Sequence, residues 1–233
     1  METMAQKQRR NTTFENKKRI FIVDDHPIVR DGLITLINHQ QDLRVCGEAE
    51  DAAQALKSIS ELKPEVVIVD IGLKSSDGIE LTKSIKARYP RLPVIVLSIH
   101  DESVYAERAL RAGAQAYLMK EVVSENIVTA IRTVLSGEIY VSNTIGKKLL
   151  RKISATGNVD TISAPIDSLS DRELEIFRLI GQGYKPSKIA ESMHLSVKTV
   201  ETYRARIKDK LNLANADELL RYAIQWISNK HEG

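Results

Sequence analysis

The sequence predicts an α/β domain built on a doubly wound, five-stranded parallel sheet, followed by a smaller all-α domain of four helices. Three observations predict it. Short apolar runs rich in Val and Ile alternate with amphipathic stretches of helical period through residues 20–136. Runs such as Val66-Val67-Ile68-Val69 lack the polar alternation of a half-exposed strand and suit strands buried on both faces. Beyond residue 168 only helical periods remain, introduced by capping residues or a proline.

Ile20-Phe21-Ile22-Val23 is the first strand and ends in Asp24-Asp25. Pro27 suits the first turn of a helix whose apolar face carries Ile28, Val29, Leu33, Leu36 and Ile37. Strand 43–47 and helix 51–61 follow, with Ala52, Ala55, Leu56 and Ile59 inward. Strand 65–70 leads to helix 77–88, with Ile79, Leu81 and Ile85 apolar. Pro93 to Leu97 is the fourth strand, ending at Ser98 before helix 101–112; Gly113 reads as a C-cap. Ala116 to Met119 is the fifth, ending at Lys120 before helix 124–136. Short links between these elements require right-handed crossovers.

Residues 138–166 lose the alternation and read as a linker, with a short helix around Lys147–Arg151 and then a Ser/Thr/Gly/Pro-rich stretch from Ser154 to Pro165. Residues 167–231 form the second domain. Ser170-Asp171-Arg172-Glu173 is a capping box opening helix 171–181, with Leu174, Ile176, Phe177 and Ile180 apolar. Pro186 opens a second helix holding Ile189, Ala190 and Met193, and His194 is a turn residue. Ser196 caps a third, 197–211, striped by Val200, Tyr203, Ile207 and Leu211. A fourth, 216–228, carries Leu219, Leu220, Ala223, Ile224 and Trp226. Short helices, a tight turn and a longer basic helix make a helix-turn-helix pattern, whose second element enters the major groove of DNA.

The net charge of +3 hides a gradient: +4 over residues 1–19, −5 over 20–140, +2 over 141–168 and +2 over 169–233. An acidic first domain and a mildly basic second one suit a metal or phosphate site joined to an anion-binding module. Residues 1–18 read as a disordered basic tail. The single Cys46 excludes an internal disulfide and a cysteine-based zinc cage, and acts as a small apolar residue. No apolar run approaches a membrane span and the polar N-terminus lacks a signal-peptide core, so a cytoplasmic protein without membrane partners is expected.

The strand ends carry the chemistry. In an open α/β sheet, ligands bind outside the carboxyl ends of the strands. Asp24, Asp25, Asp70, Ser98 and Lys120 all follow strands and would meet at that edge. Each alone is ordinary turn chemistry. Together, three carboxylates repel one another unless a hard cation lies between them, and such oxygen ligands suit Mg2+. A carboxylate beside Mg2+ is a feasible nucleophile for a phosphoryl group, with Lys120 and Ser98 placed to contact the phosphate oxygens. No Gly-rich phosphate loop accompanies them, so a bound nucleotide is not indicated.

Asp24/Asp25, Asp70, Ser98 and Lys120, in that order and spacing, closely resemble the receiver domain of two-component response regulators, with its CheY- and flavodoxin-like sheet. The resemblance implies that Asp70 accepts phosphate from a sensor histidine kinase. It also implies that Asp24, Asp25, Asp70 and the Gly72 carbonyl hold Mg2+, and that Ser98 and Tyr117 are the switch hydroxyl and aromatic. Plain sheet packing is the alternative for Tyr117. The sequence departs from the family at Lys74, where a Pro is usual, which bears on the lifetime of the phosphoryl group.

Leu169 to Glu175, with Lys188-Ile189-Ala190, Thr199-Val200, Ile207 and Lys210-Leu211, resembles the LuxR-type DNA-binding domain. Receiver plus this domain is the NarL/FixJ type of response regulator. The candidate DNA contacts are Lys185, Ser187, Lys188, Ser196, Lys198, Thr199, Glu201, Thr202, Arg204, Ala205, Arg206 and Lys208. Glu201 either accepts from a cytosine amino group or pairs with Lys198 or Arg204. The implied function is a regulator, not a turnover enzyme, that dimerises through helix 216–228 on promoter DNA when phosphorylated, with RNA polymerase as a further partner. A Mg2+-dependent phosphohydrolase using Asp70 would leave the helix-turn-helix unexplained. A flavodoxin-like electron carrier would need no acidic triad, and a regulator without phosphorylation would need none of the five groups.

Overall fold

The computed structural model describes residues 17–73, 76–99, 102–156, 165–193 and 195–231. Lys74, His194 and most of the basic tail lie outside the described residues. The chain divides into two compact units, residues 1–157 and 158–233.

In the first unit, β1 (Lys18–Val23), β2 (Leu43–Ala49), β3 (Val66–Asp70), β4 (Val94–Ser98) and β5 (Ala116–Met119) form a parallel sheet ordered β2-β1-β3-β4-β5. Between and after them run α1 (Pro27–Asn38), α2 (Ala52–Leu62), α3 (Gly78–Arg88), α4 (Glu102–Arg111) and α5 (Val123–Leu135). Every residue of β3 and β4 is buried, as their unbroken apolar runs require. Ile20, Ile22, Val66, Ile68, Ile95, Leu97 and Leu118 pack in one cluster with Leu33 and Ile37 of α1 and Ile127, Ala130, Ile131 and Val134 of α5. Side chains alternate along a strand, so Val96, Ser98 and Tyr117 face the opposite side.

Local chemistry sets the turns. Asp51 accepts from Gln54 N to cap α2, and Asp77 accepts from the backbone of Ile79 and Glu80 to cap α3. Gly113, at φ +98°, supplies the left-handed residue between α4 and β5. Gly78 is required for another reason: a Cβ there would lie 2.1 Å from the carbonyl oxygen of Asp70.

Three expectations need correction here. β1 begins at Lys18, not Ile20, because Lys18 N donates to Asp42 O and Lys18 Nζ pairs with Glu65 Oε1 at 2.7 Å. Ile28 points to solvent, 87% exposed, since it lies in the first turn of α1 opposite Leu33. The stretch taken as linker with a short helix starts against the first unit and holds a 14-residue helix, α6 (Asn143–Thr156). β5 is an edge strand whose open backbone groups Tyr140 satisfies: Tyr140 N donates to Gln115 O, and Tyr117 N to Tyr140 O. Ser142 then bonds Glu102, and Ile145 is buried.

The second unit holds α7 (Asp171–Gly181), α8 (Pro186–Ser192), α9 (Val197–Leu211) and α10 (Ala216–His231). Ser170 and Glu173 form the complete capping box of α7. Leu174, Phe177, Ile180, Ile189, Val200, Ile207, Leu219 and Ala223 make the core. Phe177 meets Tyr222 and Trp226 edge-on, each at 5.7 Å. Gly181 lets α7 approach α10, because a Cβ there would lie 2.5 Å from Ala223 O. Tyr203 is only half-buried, at the margin of the stripe, under the Arg206 guanidinium at 5.9 Å. Leu220 and Ile224 lie on the outer face of α10.

Candidate functional site

The sheet order reverses between β1 and β3: from β1 the chain moves outward to β2, then returns to the other side. Val23 pairs with Val69, so Asp24 and Asp25 emerge beside Asp70 at this switch point. Asp70 pairs with Leu97 and Ser98 with Met119, which brings Ser98 and Lys120 to the same edge.

Asp24, Asp25, Asp70 and Ser98 are buried. Lys120 Nζ lies 2.7 Å from Asp24 Oδ2 and 2.9 Å from Asp70 Oδ2, bridging the two strands. The backbone N–H of Gly72 donates to the Asp70 carboxylate. Burial raises the Asp70 carboxyl above the ordinary aspartate range, with the Asp24 charge adding to it, while Lys120 and Gly72 oppose. Burial alone would push the Lys120 ammonium down. The carboxylates of Asp70 and Asp24 outweigh it and hold Lys120 above the ordinary lysine range.

Asp24, Asp25, Asp70 and His26 each offer a ligand atom, all within 4.8 Å of one another. One ammonium against three carboxylates leaves the edge short of positive charge. Asp24 Oδ2 is buried and, beyond the Lys120 ammonium, receives no hydrogen bond. This donor set fits a divalent cation.

Sequence reasoning missed two residues here. His26 Nδ1 lies 2.7 Å from Asp25 Oδ1, and its backbone N–H donates to Asp24 Oδ1 at 2.8 Å. Arg30 is buried, donates Nη1 to Asp24 O at 2.7 Å and Nη2 to Glu50 Oε1 at 2.8 Å, and sets Nε 3.4 Å from Glu48 Oε2. Their positions just after the acidic pair, at the start of a helix, were the available signal.

In the second unit, α9 carries most of the predicted DNA contacts on one exposed face. Lys198, Glu201, Thr202, Ala205 and Arg206 are exposed; Thr199, Arg204 and Lys208 are half-buried. Ser196 caps the helix through Thr199 N at 3.0 Å. Thr202 Oγ1 bonds back to Lys198 O. Glu201 accepts from Arg204 at 3.0 Å, one of its two expected pairings. Lys185, Ser187 and Lys188 are exposed on and beside α8, with Lys188 paired to Glu191.

Residues 20–132 match the family described as response regulator receiver domain, and residues 167–223 match bacterial regulatory proteins of the luxR family. The oxygen regulatory protein NreC of Staphylococcus aureus (strain bovine RF122 / ET3-1) is 37% identical over 210 residues, 89% of this chain and 97% of that protein. The chain belongs to the NarL/FixJ-type response regulators. Solved structures agree. The response regulator RcsB of Salmonella enterica serovar Typhimurium, bound to a promoter in the presence of phosphomimetic BeF3-, is 29% identical, with TM-score 0.54 and coverage of 89% and 98% of the two chains. A LuxR-family response regulator from Aurantimonas sp. SI85-9A1 is 33% identical with TM-score 0.55, covering 59% of this chain and 99% of its own. This response regulator therefore joins a receiver domain to a LuxR-type DNA-binding domain. Among its described residues no helix is long and apolar enough to cross a membrane.

Proposed function

We propose that this response regulator accepts a phosphoryl group on Asp70 from a sensor histidine kinase, and that phosphorylation promotes dimerisation and promoter binding. The observation that carries the proposal is the Lys120 bridge between Asp24 and Asp70 at the switch point. An Asp70 oxygen attacks the phosphorus of the kinase phosphohistidine; the P–N bond breaks and its electron pair stays on the imidazole. Lys120 is positioned to exchange one carboxylate partner for a phosphate oxygen. Asp24, Asp25, Asp70 and the Gly72 carbonyl would hold Mg2+, which supplies charge neutralisation for the transferred group.

Ser98 and Tyr117 share a sheet face by alternation, which suits a hydroxyl that moves to the phosphate and a ring that follows it. Residues 19–137 carry the receiver role and 167–231 the DNA role. Lys198 and Arg206 are exposed on α9 and placed to reach phosphates, with the remaining α8 and α9 candidates around them. Leu220 and Ile224, four residues apart on the outer face of α10, supply an apolar strip for a second copy.

The test is a gel shift on promoter DNA with Mg2+ and acetyl phosphate, wild type beside Asp70→Asn. The donor tightens binding and dimerisation in the wild type and does nothing in the variant. A wild type indifferent to the donor overturns the switch; a chain that never binds DNA at low salt overturns the output role.

A further inference from the structure

Carboxylates alone do not account for the acidic edge, because an imidazole completes it. His26 Nδ1 lies 2.7 Å from Asp25 Oδ1, 3.2 Å from Asp24 Oδ1 and 4.0 Å from Asp70 Oδ2. Two ligands at right angles around one small cation sit roughly 3 Å apart, and two opposite ligands roughly 4.2 Å, given bonds of about 2.1 Å. The spacings of His26 to Asp24 and Asp70 fall within that span, and its contact with Asp25 is shorter. The residue is also fixed at its base: its backbone N–H is held by Asp24 Oδ1, and Pro27 begins α1 immediately after it. Lys120 occupies the other side of the cluster, against Asp24 Oδ2 and Asp70 Oδ2. Asp24 turns its second oxygen, Oδ1, toward His26.

We infer that His26 supplies a nitrogen ligand to the divalent cation of this site and gives it a preference for first-row transition ions over Mg2+. The inference rests on the reading of Asp24, Asp25 and Asp70 as a cation site. Oxygen-only sets suit Mg2+, which keeps its waters and gains little from an imidazole. Imidazole suits transition ions, and affinity for them rises from Mn2+ through Co2+ toward Cu2+ at a given nitrogen-oxygen site. The ring is half open to solvent, with 55% of its side-chain surface accessible, so it can turn from its contacts with Asp24 and Asp25 to present a lone pair to a cation. A receiver of this construction responds to which metal is present as well as to its kinase.

The experiment uses the full chain, titrated calorimetrically with MgCl2 and separately with CoCl2, as wild type, His26→Ala and His26→Gln. Wild type binds Co2+ more tightly than Mg2+. Both variants lose at least about tenfold in Co2+ affinity, the size already seen for lesser ligand-shell changes, and keep their Mg2+ affinity. Mn2+ gives a second readout: nitrogen hyperfine coupling in its paramagnetic resonance is present in the wild type and absent in His26→Ala. Equal changes for Co2+ and Mg2+, or a wild type without nitrogen coupling, overturn the inference while Mg2+ binding stands. A wild type that binds neither ion overturns the cation site itself, and the inference with it.

Discussion

Arg30 holds the backbone of Asp24. Its Nη1 donates to the Asp24 carbonyl at 2.7 Å, six residues back along the chain, while Glu48 in β2 and Glu50 just after it steady the rest of the guanidinium. The contact turns the end of β1 toward the sheet edge, with the Asp24 carboxylate facing Lys120 and Asp70. A fork of donors can serve a carbonyl and a carboxylate at once; an ammonium cannot do so with fixed geometry.

Arg30→Ala therefore loosens the acidic pair without removing a carboxylate. Losing a buried charge-assisted hydrogen bond costs about 2 kcal/mol of stability. Mg2+ affinity falls about tenfold, as for supports behind a metal ligand. Urea unfolding and Mg2+ calorimetry read the two effects, and Arg30→Lys recovers part of the stability but little of the affinity. Unchanged Mg2+ binding in Arg30→Ala would show that the acidic loop holds itself.

A matched pair of glycines separates crowding from helix propensity. Gly78→Ala drives a Cβ to within 2.1 Å of the Asp70 carbonyl and 2.7 Å of Ile71 Cα, and backbone on both sides must move. The expected cost is about 3 kcal/mol, with phosphorylation of Asp70 slowed. Gly32, on the exposed side of α1, has no atom within 4 Å of its Cβ position. Gly32→Ala should raise stability by about 0.5–1 kcal/mol and leave phosphorylation alone. Thermal melts and acetyl phosphate labelling of the two variants test both halves.

Acid sensitivity has a local source at the other end of the sheet. Burial pushes the Glu65 carboxyl up, but the Lys18 ammonium and the Arg19 N–H outweigh it and hold it below the ordinary glutamate range. A carboxyl depressed in the folded state contributes stability above its unfolded value, near pH 4.3, and loses it as pH falls through the folded value. Screening limits the contribution to about 0.5 kcal/mol, because both side chains face water. Glu65→Gln should be less stable than wild type by that amount at pH 7, and the gap should close as pH falls through the folded value of Glu65. A gap that stays constant with pH would assign the loss to packing rather than charge.

The parts of this molecule that were legible in its sequence are those where one residue type leaves one choice. The unbroken apolar runs of β3 and β4 could only be doubly covered strands, and the polar residue ending each run marked the edge that Asp24, Asp70, Ser98 and Lys120 share. The box at Ser170 and Glu173 fixed the start of α7. The reach of Arg30 to a carbonyl depends on how α1 docks on β1, which no local pattern encodes. The pairing of Tyr140 with β5 likewise depends on an edge strand meeting a distant segment. The sequence could not separate Leu220 and Ile224 from the buried Leu219 and Ala223, because helical period does not tell which of two apolar faces is covered.

The cations of the DNA-binding domain divide by what already holds them. Lys210 Nζ lies 2.6 Å from Glu173 Oε2, a buried carboxylate that also accepts Ser170 N, so it ties the end of α9 to the start of α7. Lys198 lies in the first turn of α9, exposed, and Arg206 is exposed further along. Each lysine or arginine that neutralises a DNA phosphate releases counterions, so its loss flattens the dependence of binding on salt. Lys198→Ala and Arg206→Ala should each lower the slope of log affinity against log salt by about 1 and weaken binding on any sequence. Lys210→Ala should leave the slope unchanged and instead lower the melting temperature, because it strands the Glu173 carboxylate. Fluorescence anisotropy on one promoter duplex across a salt series, with melts of the same variants, reads both. A reduced slope for Lys210→Ala would place that ammonium on DNA and take it out of the scaffold.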